Sequence, residues 1–342
     1  MGPLVTLWTS CYNHEDYLDD YFQGLISQTY SNIQLILVDD GSTDHSWERM
    51  CSYESRLREK FPLVVLERHE NIGATEEFLA HFWKHAAGEY MCMLESDDYF
   101  LPTKIEENVR YFQEHPDVGA VHSEIDYVYP DHIEYRHWDT AGQKTPKGDI
   151  FEALLLDNFI MTCSFICRTD LMRTYINWHE YLAKGYIVRD YACFLDLARH
   201  TRFGYIDKSL ARYRVLRDSA AHSTDLQKAF ELATNYQQIK LDYIEKYGGP
   251  DRARRLATEG IYYAHFLFGF RMHGADQCLE AYDWLVKHNP RRYETLPFRL
   301  LALSVRNKLS WRLMRWIETI DIVRQTALTL FSLRNRGRNE TD

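Results

Sequence analysis

Residues 33–44 read Ile-Gln-Leu-Ile-Leu-Val-Asp-Asp-Gly-Ser-Thr-Asp, an apolar run that stops at two aspartates. The run from Ile33 to Val38 predicts a buried β-strand because it is short, rich in branched side chains and bounded by turn residues. Asp, Gly and Ser are typical of turns and helix N-caps, and a polar helical pattern follows. The stretch therefore predicts a strand, a turn carrying carboxylates and then a helix.

The same order occurs four times in the first 120 residues. The predicted strands are 4–8, 33–38, 63–66 and 90–94, and the predicted helices are 16–28, the segment after 44, 74–87 and 102–115. Such units indicate an α/β fold whose mixed, mainly parallel, Rossmann-like sheet has helices on both faces. Right-handed crossovers bring the carboxyl ends of the parallel strands to one edge, where ligands of such sheets bind.

The rest of the chain divides into a mixed part and a helical part. Strands are predicted at 118–128, 203–206 and 210–215, and helices at 149–157, 189–200, 225–247, 252–273 and 276–288. Gly248-Gly249-Pro250 is a clear break within the helical part. We expect one domain over 1–222, with one half to about residue 120 and a second half over 121–222. An α-helical C-terminal region over 223–342 follows it.

Composition excludes several classes of protein. The 342 residues carry a net charge of −10, which argues against an electrostatic nucleic-acid binder. Seven cysteines without CxxC pairs indicate reduced thiols and a cytoplasmic location. No signal peptide and no run of about 18 apolar residues is apparent. The segment 291–342 is basic, and its part 308–333 predicts an amphipathic helix. That helix either contacts the inner face of a membrane, mediates oligomerisation or packs on the catalytic domain.

Polar clusters follow three of the predicted strands, at residues 9–14, 39–44 and 95–98. Any one of them is typical of a turn with a helix cap. Together at one sheet edge, their carboxylates repel one another unless a cation or a hydrogen-bonding ligand lies among them. The carboxylates of 95–98 suit Mn²⁺ or Mg²⁺, which would neutralise a diphosphate leaving group.

These motifs, in this order, resemble those of family 2 glycosyltransferases. The matching segments are 5–13, 25–30, 37–44, 71–73, 88–90, 94–98 and 149–160. The resemblance, over roughly residues 4–220, implies a GT-A fold and an inverting, metal-dependent transferase. It also implies that the half to about residue 120 binds the nucleotide and that the half over 121–222 binds the acceptor. Its expected donor is a nucleotide-diphosphate sugar, with UDP as the expected nucleotide, and its expected acceptor is a glycan or a lipid-linked glycan of a cell surface.

The resemblance also implies roles for individual residues. Asp97 would ligate the metal, Glu95 would face the ribose or the metal, and Asp98 would either support Asp97 or share its role; the family usually has Asp where Glu95 stands. The nucleobase end of the donor site would be formed by Ser10, Tyr12, Asn13, Asp40 and Asn71.

Asp190 is implied as the catalytic base. The family usually has Glu where Arg189 stands, and we expect this positive neighbour to lower the pKa of Asp190. The alternative is a carboxylate that only stabilises a helix N-terminus.

Arg214, Arg217 and Ser219 are implied to close over the donor diphosphate, the alternative being a loop ion pair with Asp218.

Two other functions stay open at this stage. A non-catalytic nucleotide-sugar binder would explain the departures from the family pattern, and a sugar nucleotidyltransferase would share the sheet and the metal. The latter normally has a Gly-rich, basic first loop, which residues 9–14 lack. His81 and His85 lie four residues apart, but without the glutamate of a metalloprotease motif we interpret them as ordinary histidines rather than zinc ligands.

Overall fold

A computed structural model describes residues 2–73, 75–140, 145–216, 223–272 and 275–306. These residues form two compact units. The first comprises 2–154 and 158–216, and the second comprises 155–157 and 223–306. Each unit is described by itself.

The first unit contains a sheet with the strand order β3-β2-β1-β4-β8-β6-β9-β5, and β7 pairs with β6. The strands are β1 (Val5–Cys11), β2 (Ile33–Asp39), β3 (Leu63–Arg68), β4 (Tyr90–Met93), β5 (Tyr99–Phe100), β6 (Val118–Val128), β7 (Ile133–Glu134), β8 (Ile166–Arg168) and β9 (Arg202–Arg214).

Nine helices belong wholly or partly to the described residues of this unit, together with a 3₁₀ turn at Thr162–Ser164. They are α1 (Leu18–Ile26), α2 (Ser46–Lys60), α3 (Glu76–His85), α4 (Lys104–Glu114), α5 (His137–Thr140), α6 (Phe151–Leu156), α7 (Thr169–Tyr175), α8 (Trp178–Ala183) and α9 (Arg189–His200).

The sheet is mixed and mainly parallel, which confirms the predicted fold class. The parallel pairs of strands β1–β2, β1–β4, β2–β3 and β6–β9 form the longer ladders. Each antiparallel pair aligns only two residue pairs. Every residue of β2 is buried, as expected for a parallel strand covered on both faces.

The structure also corrects the predicted elements. The strands predicted at 203–206 and 210–215 are one continuous strand, β9, whose register against β6 shifts near Ser123 and Glu124. Strands β5, β7 and β8 were missed because two or three residues carry no periodic signal.

The second unit is helical, as predicted. Its helices are α10 (Leu226–Tyr247), α11 (Asp251–Met272), α12 (Ala275–His288), α13 (Pro290–Tyr293) and α14 (Leu296–Arg306). Tyr263, Phe266 and Tyr293 are central to its apolar core. In the described part of the chain, no helix combines the length and apolar character needed to cross a membrane. The basic segment 308–333 lies outside the described residues.

Candidate active site

The three polar clusters meet at one edge of the sheet. Strand β1 lies between β2 and β4 and is parallel to both, so the three strands end side by side. The backbone N–H of Asp40 donates to the carbonyl of Cys11 at 2.8 Å, and Ser96 Oγ donates to the carbonyl of Ser10 at 3.3 Å. His14 Nδ1 lies 2.7 Å from Ser96 Oγ. Hydrogen bonds therefore join the loops after all three strands.

The loop after β1 is held by Asn13. Its backbone has a positive φ of 55°, which Asn tolerates better than most residues. Its side-chain Oδ1 accepts from the backbone N–H of Thr43 at 2.8 Å, and its own N–H donates to Ser42 Oγ at 3.0 Å. The neighbouring Tyr12 is 45% exposed. Asn13 therefore braces the loop that presents Tyr12 to solvent.

Asp40 is buried beneath the loop that follows β3. Its Oδ1 accepts from the N–H of Ile72 at 3.0 Å and its Oδ2 from the N–H of Gly73 at 3.1 Å. His69 Nδ1 lies 3.3 Å from Oδ1. Asn71, predicted to close the base pocket, is an exposed residue of this same loop. Asp40 thus positions the segment that carries Asn71.

Glu95 and Asp97 lie on the turn of residues 95–98 after β4, here called the acidic turn. Crowding by protein atoms, and then the negative charges of Asp97 and Asp190, raise the pKa of Glu95 to about 7. The side chain keeps exposed surface, so water moderates this effect. The shift shows that Asp190, about a hundred residues along the chain, faces the same turn.

Asp98 points into the protein. It is 2% exposed, and its Oδ1 accepts from the backbone N–H of Arg214 at 2.8 Å. Burial, and then the charge of Asp97, raise its pKa well above the ordinary range. Cys163, a buried residue of the 3₁₀ turn, contributes a side-chain hydrogen bond that opposes this rise. Asp98 is therefore better placed to stabilise the turn than to contact a ligand directly.

Asp190 lies in the first turn of α9. Its Oδ2 accepts from the hydroxyl of Thr162 at 3.0 Å. Burial raises its pKa, although that hydroxyl and the N–H groups of Tyr191 and of Asp190 itself oppose the rise. The predicted lowering by Arg189 is wrong. The Arg189 Nε donates to the carbonyl of Tyr186 at 3.0 Å, and burial is the largest influence on the pKa of Asp190 and raises it.

Arg214, at the end of β9, contacts the acidic turn from the side. Its Nε donates to the carbonyl of Asp97 at 2.9 Å, and its guanidinium pairs with Asp20 at 2.7 Å. The guanidinium also lies 5.0 Å from the centre of the Tyr17 ring. Arg217 and Ser219, predicted to bind the diphosphate with Arg214, lie outside the described residues.

Sequence reasoning missed Thr162 and Asp20. Thr162 precedes the buried Cys163 and Ser164 in a short turn that has no motif, and only the fold brings its hydroxyl to Asp190. Asp20 is one of two acidic residues in the first turn of α1, where a carboxylate is expected simply to stabilise the helix.

Comparison with known proteins decides the family. The sequence model of Glycosyl transferase family 2 matches residues 6–174, a span that includes all three polar clusters. The chain belongs to this family. This family 2 glycosyltransferase is 25% identical over 226 residues to an uncharacterized glycosyltransferase of Haemophilus influenzae. The alignment covers 62% of this chain and 66% of that one. Over 112 residues it is 33% identical to a Bacillus subtilis protein named as the teichuronic acid biosynthesis glycosyltransferase TuaG, covering 33% of this chain and 43% of TuaG. The chain thus spans about two thirds or less of these curated relatives.

Solved structures share the fold. The mannosyltransferase PcManGT from Pyrobaculum calidifontis, in complex with GDP-Man and Mn²⁺, aligns with a TM-score of 0.56 at 15% identity, covering 99% of this chain and 89% of that one. TarS of S. aureus aligns with a TM-score of 0.51 at 16% identity, covering 99% of this chain and 56% of TarS. These likenesses support the GT-A-like fold.

Proposed function

We propose that this family 2 glycosyltransferase moves a sugar from a nucleotide-diphosphate sugar to an acceptor hydroxyl with inversion at the anomeric carbon. The observation that carries the proposal is that Asp190 lies close enough to the acidic turn for its charge to act on Glu95, whose pKa is raised to about 7 by burial, by Asp97 and then by Asp190. A base facing an acidic turn at the carboxyl edge of the sheet suits attack on a diphosphate-linked sugar bound there.

Asp190 is the proposed base. Its raised pKa makes it a stronger proton acceptor than a surface aspartate, and Thr162 fixes the orientation of its carboxylate. Asp190 takes the proton from the acceptor hydroxyl as that oxygen attacks the anomeric carbon. One displacement inverts the configuration there, so an α-linked donor gives a β-glycoside.

The residues of the acidic turn fit a divalent cation. Glu95 and Asp97 repel each other on a turn where both keep exposed surface, and Mg²⁺ and Mn²⁺ prefer one or two carboxylates together with substrate phosphates. Asp97 is the proposed ligand, with Glu95 beside it. Bound Mn²⁺ or Mg²⁺ would supply positive charge for the departing nucleoside diphosphate. The fold neighbour PcManGT was solved with GDP-Man and Mn²⁺, which is consistent with this use of the fold.

The identities of the donor and of the acceptor are inferred from other observations. Tyr12 is exposed directly after Cys11, whose carbonyl accepts from the N–H of Asp40. This position suits stacking on a nucleobase, and we propose UDP as the nucleotide. The name of TuaG supports an acceptor in surface polysaccharide synthesis, a glycan or a lipid-linked glycan. Such an acceptor would place the enzyme at the inner face of a membrane, with the basic segment 308–333 as the proposed contact. We further propose the domain boundary near residue 222.

The test compares the turnover and the donor affinity of the variant Asp190→Asn with those of the wild type. We expect Mn²⁺-dependent release of nucleoside diphosphate from a panel of UDP- and GDP-sugars with the wild type. Asp190→Asn should lose at least about a hundredfold in kcat while its donor Kd stays within about threefold, because the base acts in the chemical step. Asp170→Asn, the same change at an exposed helix start, is the matched control. Unchanged turnover in Asp190→Asn would refute the role of Asp190, and pyrophosphate release from a nucleoside triphosphate would indicate a nucleotidyltransferase.

A further inference from the structure

A second group of metal-binding side chains lies apart from the acidic turn. It consists of Glu67 on β3 and of His81 and His85 on α3, here called the His–Glu trio. One ligand atom from each residue lies within 4.8 Å of the others. Within the described ranges, no other three His, Cys, Asp or Glu residues come so close.

The fold creates the trio from two simple periodicities. His81 and His85 are one helical turn apart, so they share a face of α3, and their ring centroids are 5.0 Å apart. Side chains alternate along β3: Arg68 pairs with Asp39, its Nε 3.0 Å from Oδ1, while the preceding Glu67 meets the histidines of α3.

We propose that the His–Glu trio binds a zinc ion. Two imidazoles and one carboxylate form a common three-ligand zinc set, and water would take the fourth position. Glu67 Oε2 lies 2.5 Å from His81 Nε2, and Glu67 Oε1 lies 4.0 Å from His85 Nε2. Ligands at about 2.0–2.1 Å from one tetrahedral ion are separated by roughly 3.3 Å, between these two values. Small side-chain rotations therefore bring all three atoms into reach of one ion.

The trio is accessible to an ion from solution. The side chains of His81, His85 and Glu67 are 30%, 26% and 40% exposed. Magnesium and calcium prefer oxygen ligands, so the two imidazoles make this site selective for zinc-like metals. The acidic turn, by contrast, offers only carboxylates.

A zinc ion here would fasten the end of β3 to α3. The described residues 69–73 between them include Ile72 and Gly73, whose N–H groups donate to Asp40. The site would therefore steady the segment from both of its ends. This consequence concerns stability and does not depend on the identity of the sugar donor.

A plain His–Glu ion pair is the competing explanation, and the chain offers a matched control for it. His179 pairs with Glu76 through its Nδ1, and their side chains are 79% and 61% exposed. Among the described residues this pair has no third ligand atom of the required kind nearby. His179→Asn therefore removes a histidine from a His–Glu pair without touching the trio.

The experiment is a titration of the metal-free full chain with Zn²⁺ alone, in excess Mg²⁺ that occupies carboxylate sites. We expect one zinc per chain, a rise in melting temperature through linkage, and visible absorption of a tetrahedral Co²⁺ complex when Co²⁺ replaces Zn²⁺. Variants His81→Asn, His85→Asn and Glu67→Gln should each weaken zinc binding by more than about a hundredfold. Losing a residue that only hydrogen-bonds to a metal ligand lowers metal affinity tenfold to hundredfold, and losing a direct ligand should lower it further.

Asp97→Asn and His179→Asn should keep zinc binding. Circular dichroism without metal shows whether each variant folds, and if one histidine variant does not, the other and the isosteric Glu67→Gln decide the outcome. The proposal is overturned if the wild type takes up no zinc at micromolar concentration. It is equally overturned if the folded trio variants bind zinc as the wild type does, or if only Asp97→Asn loses it.

Discussion

Arg214 joins the end of β9 to the acidic turn by donating its backbone N–H to Asp98 Oδ1 at 2.8 Å. The accepting carboxyl is buried, and burial followed by the charge of Asp97 raises its pKa well above the ordinary range. The raised pKa means that folding favours the protonated form of Asp98, the residue that accepts this hydrogen bond. It supports the turn from within, while Glu95 and Asp97 remain at its open side.

The first prediction concerns Asp98→Asn. A carboxyl group with a raised pKa in the folded state stabilises the protein fully below its unfolded pKa, and that contribution is lost as pH rises through the folded pKa. Asn resembles the protonated acid and does not titrate. The stability of Asp98→Asn relative to wild type should therefore increase from pH 5 to pH 8, measured by urea unfolding in EDTA.

Asp98→Ala provides the contrast, since it leaves the N–H of Arg214 without this acceptor. It should cost about 1–3 kcal/mol at pH 5. Because alanine does not titrate either, this cost should shrink towards pH 8, in parallel with the gain of Asp98→Asn. Asp170→Asn, the same change at an exposed helix start, is measured beside it as the control. A relative stability of Asp98→Asn that falls as pH rises would contradict the raised pKa.

The second prediction concerns Glu95 and divalent cations. With a pKa of about 7, Glu95 loses its proton between pH 6 and pH 8, and the proton competes with a cation at the turn. The Kd for UDP with Mg²⁺, measured calorimetrically, should fall over this interval, by up to about tenfold per pH unit below the pKa. Glu95→Gln should bind more weakly with a flatter pH dependence. Parallel pH profiles for the two proteins would show that another group controls binding.

The long elements and the edge on which the site lies could be predicted from the sequence. β2 is an apolar run that contains one polar residue, Gln34, and ends at Asp39, and its position beside β1 follows from the rules for parallel sheets. Strand β8 could not be predicted: three residues with no periodicity are inserted antiparallel between β4 and β6. The pairing depends on the packing of the whole sheet.

Side-chain environments were less predictable than positions. Adjacency in sequence suggested that Arg189 would act on Asp190, but the helix turns its guanidinium to the carbonyl of Tyr186, and burial governs the pKa of Asp190 instead. The His–Glu trio shows the same limit. The spacing of His81 and His85 is visible in the sequence, whereas the third member lies on a separate strand.

The third prediction concerns Asp40→Ala. Removing the carboxylate frees the N–H groups of Ile72 and Gly73, so hydrogen exchange at these two amides should accelerate. Because the same loop carries Asn71, the affinity for UDP should fall as well. Exchange at β2 amides such as Leu35 serves as the internal control, and unchanged protection of Ile72 and Gly73 would refute the role of Asp40 as a loop anchor.

The fourth prediction compares Gly41→Ala with Gly185→Ala. The comparison separates the effect of backbone strain from the effect of displacing the segment that carries Asn71. Both glycines have positive φ, 74° and 65°, so each alanine should cost about 1–2 kcal/mol of stability. At Gly41 a Cβ would also lie 2.6 Å from the backbone nitrogen of Asn71, whereas at Gly185 it would meet nothing within 4 Å. Gly41→Ala must therefore displace the Asn71 segment. We expect calorimetry to show weaker UDP binding for Gly41→Ala alone. Gly41→Ala should also lose more stability than Gly185→Ala, because the contact with Asn71 adds to the backbone strain. Equal losses of affinity would show that strain, not the contact with Asn71, is responsible.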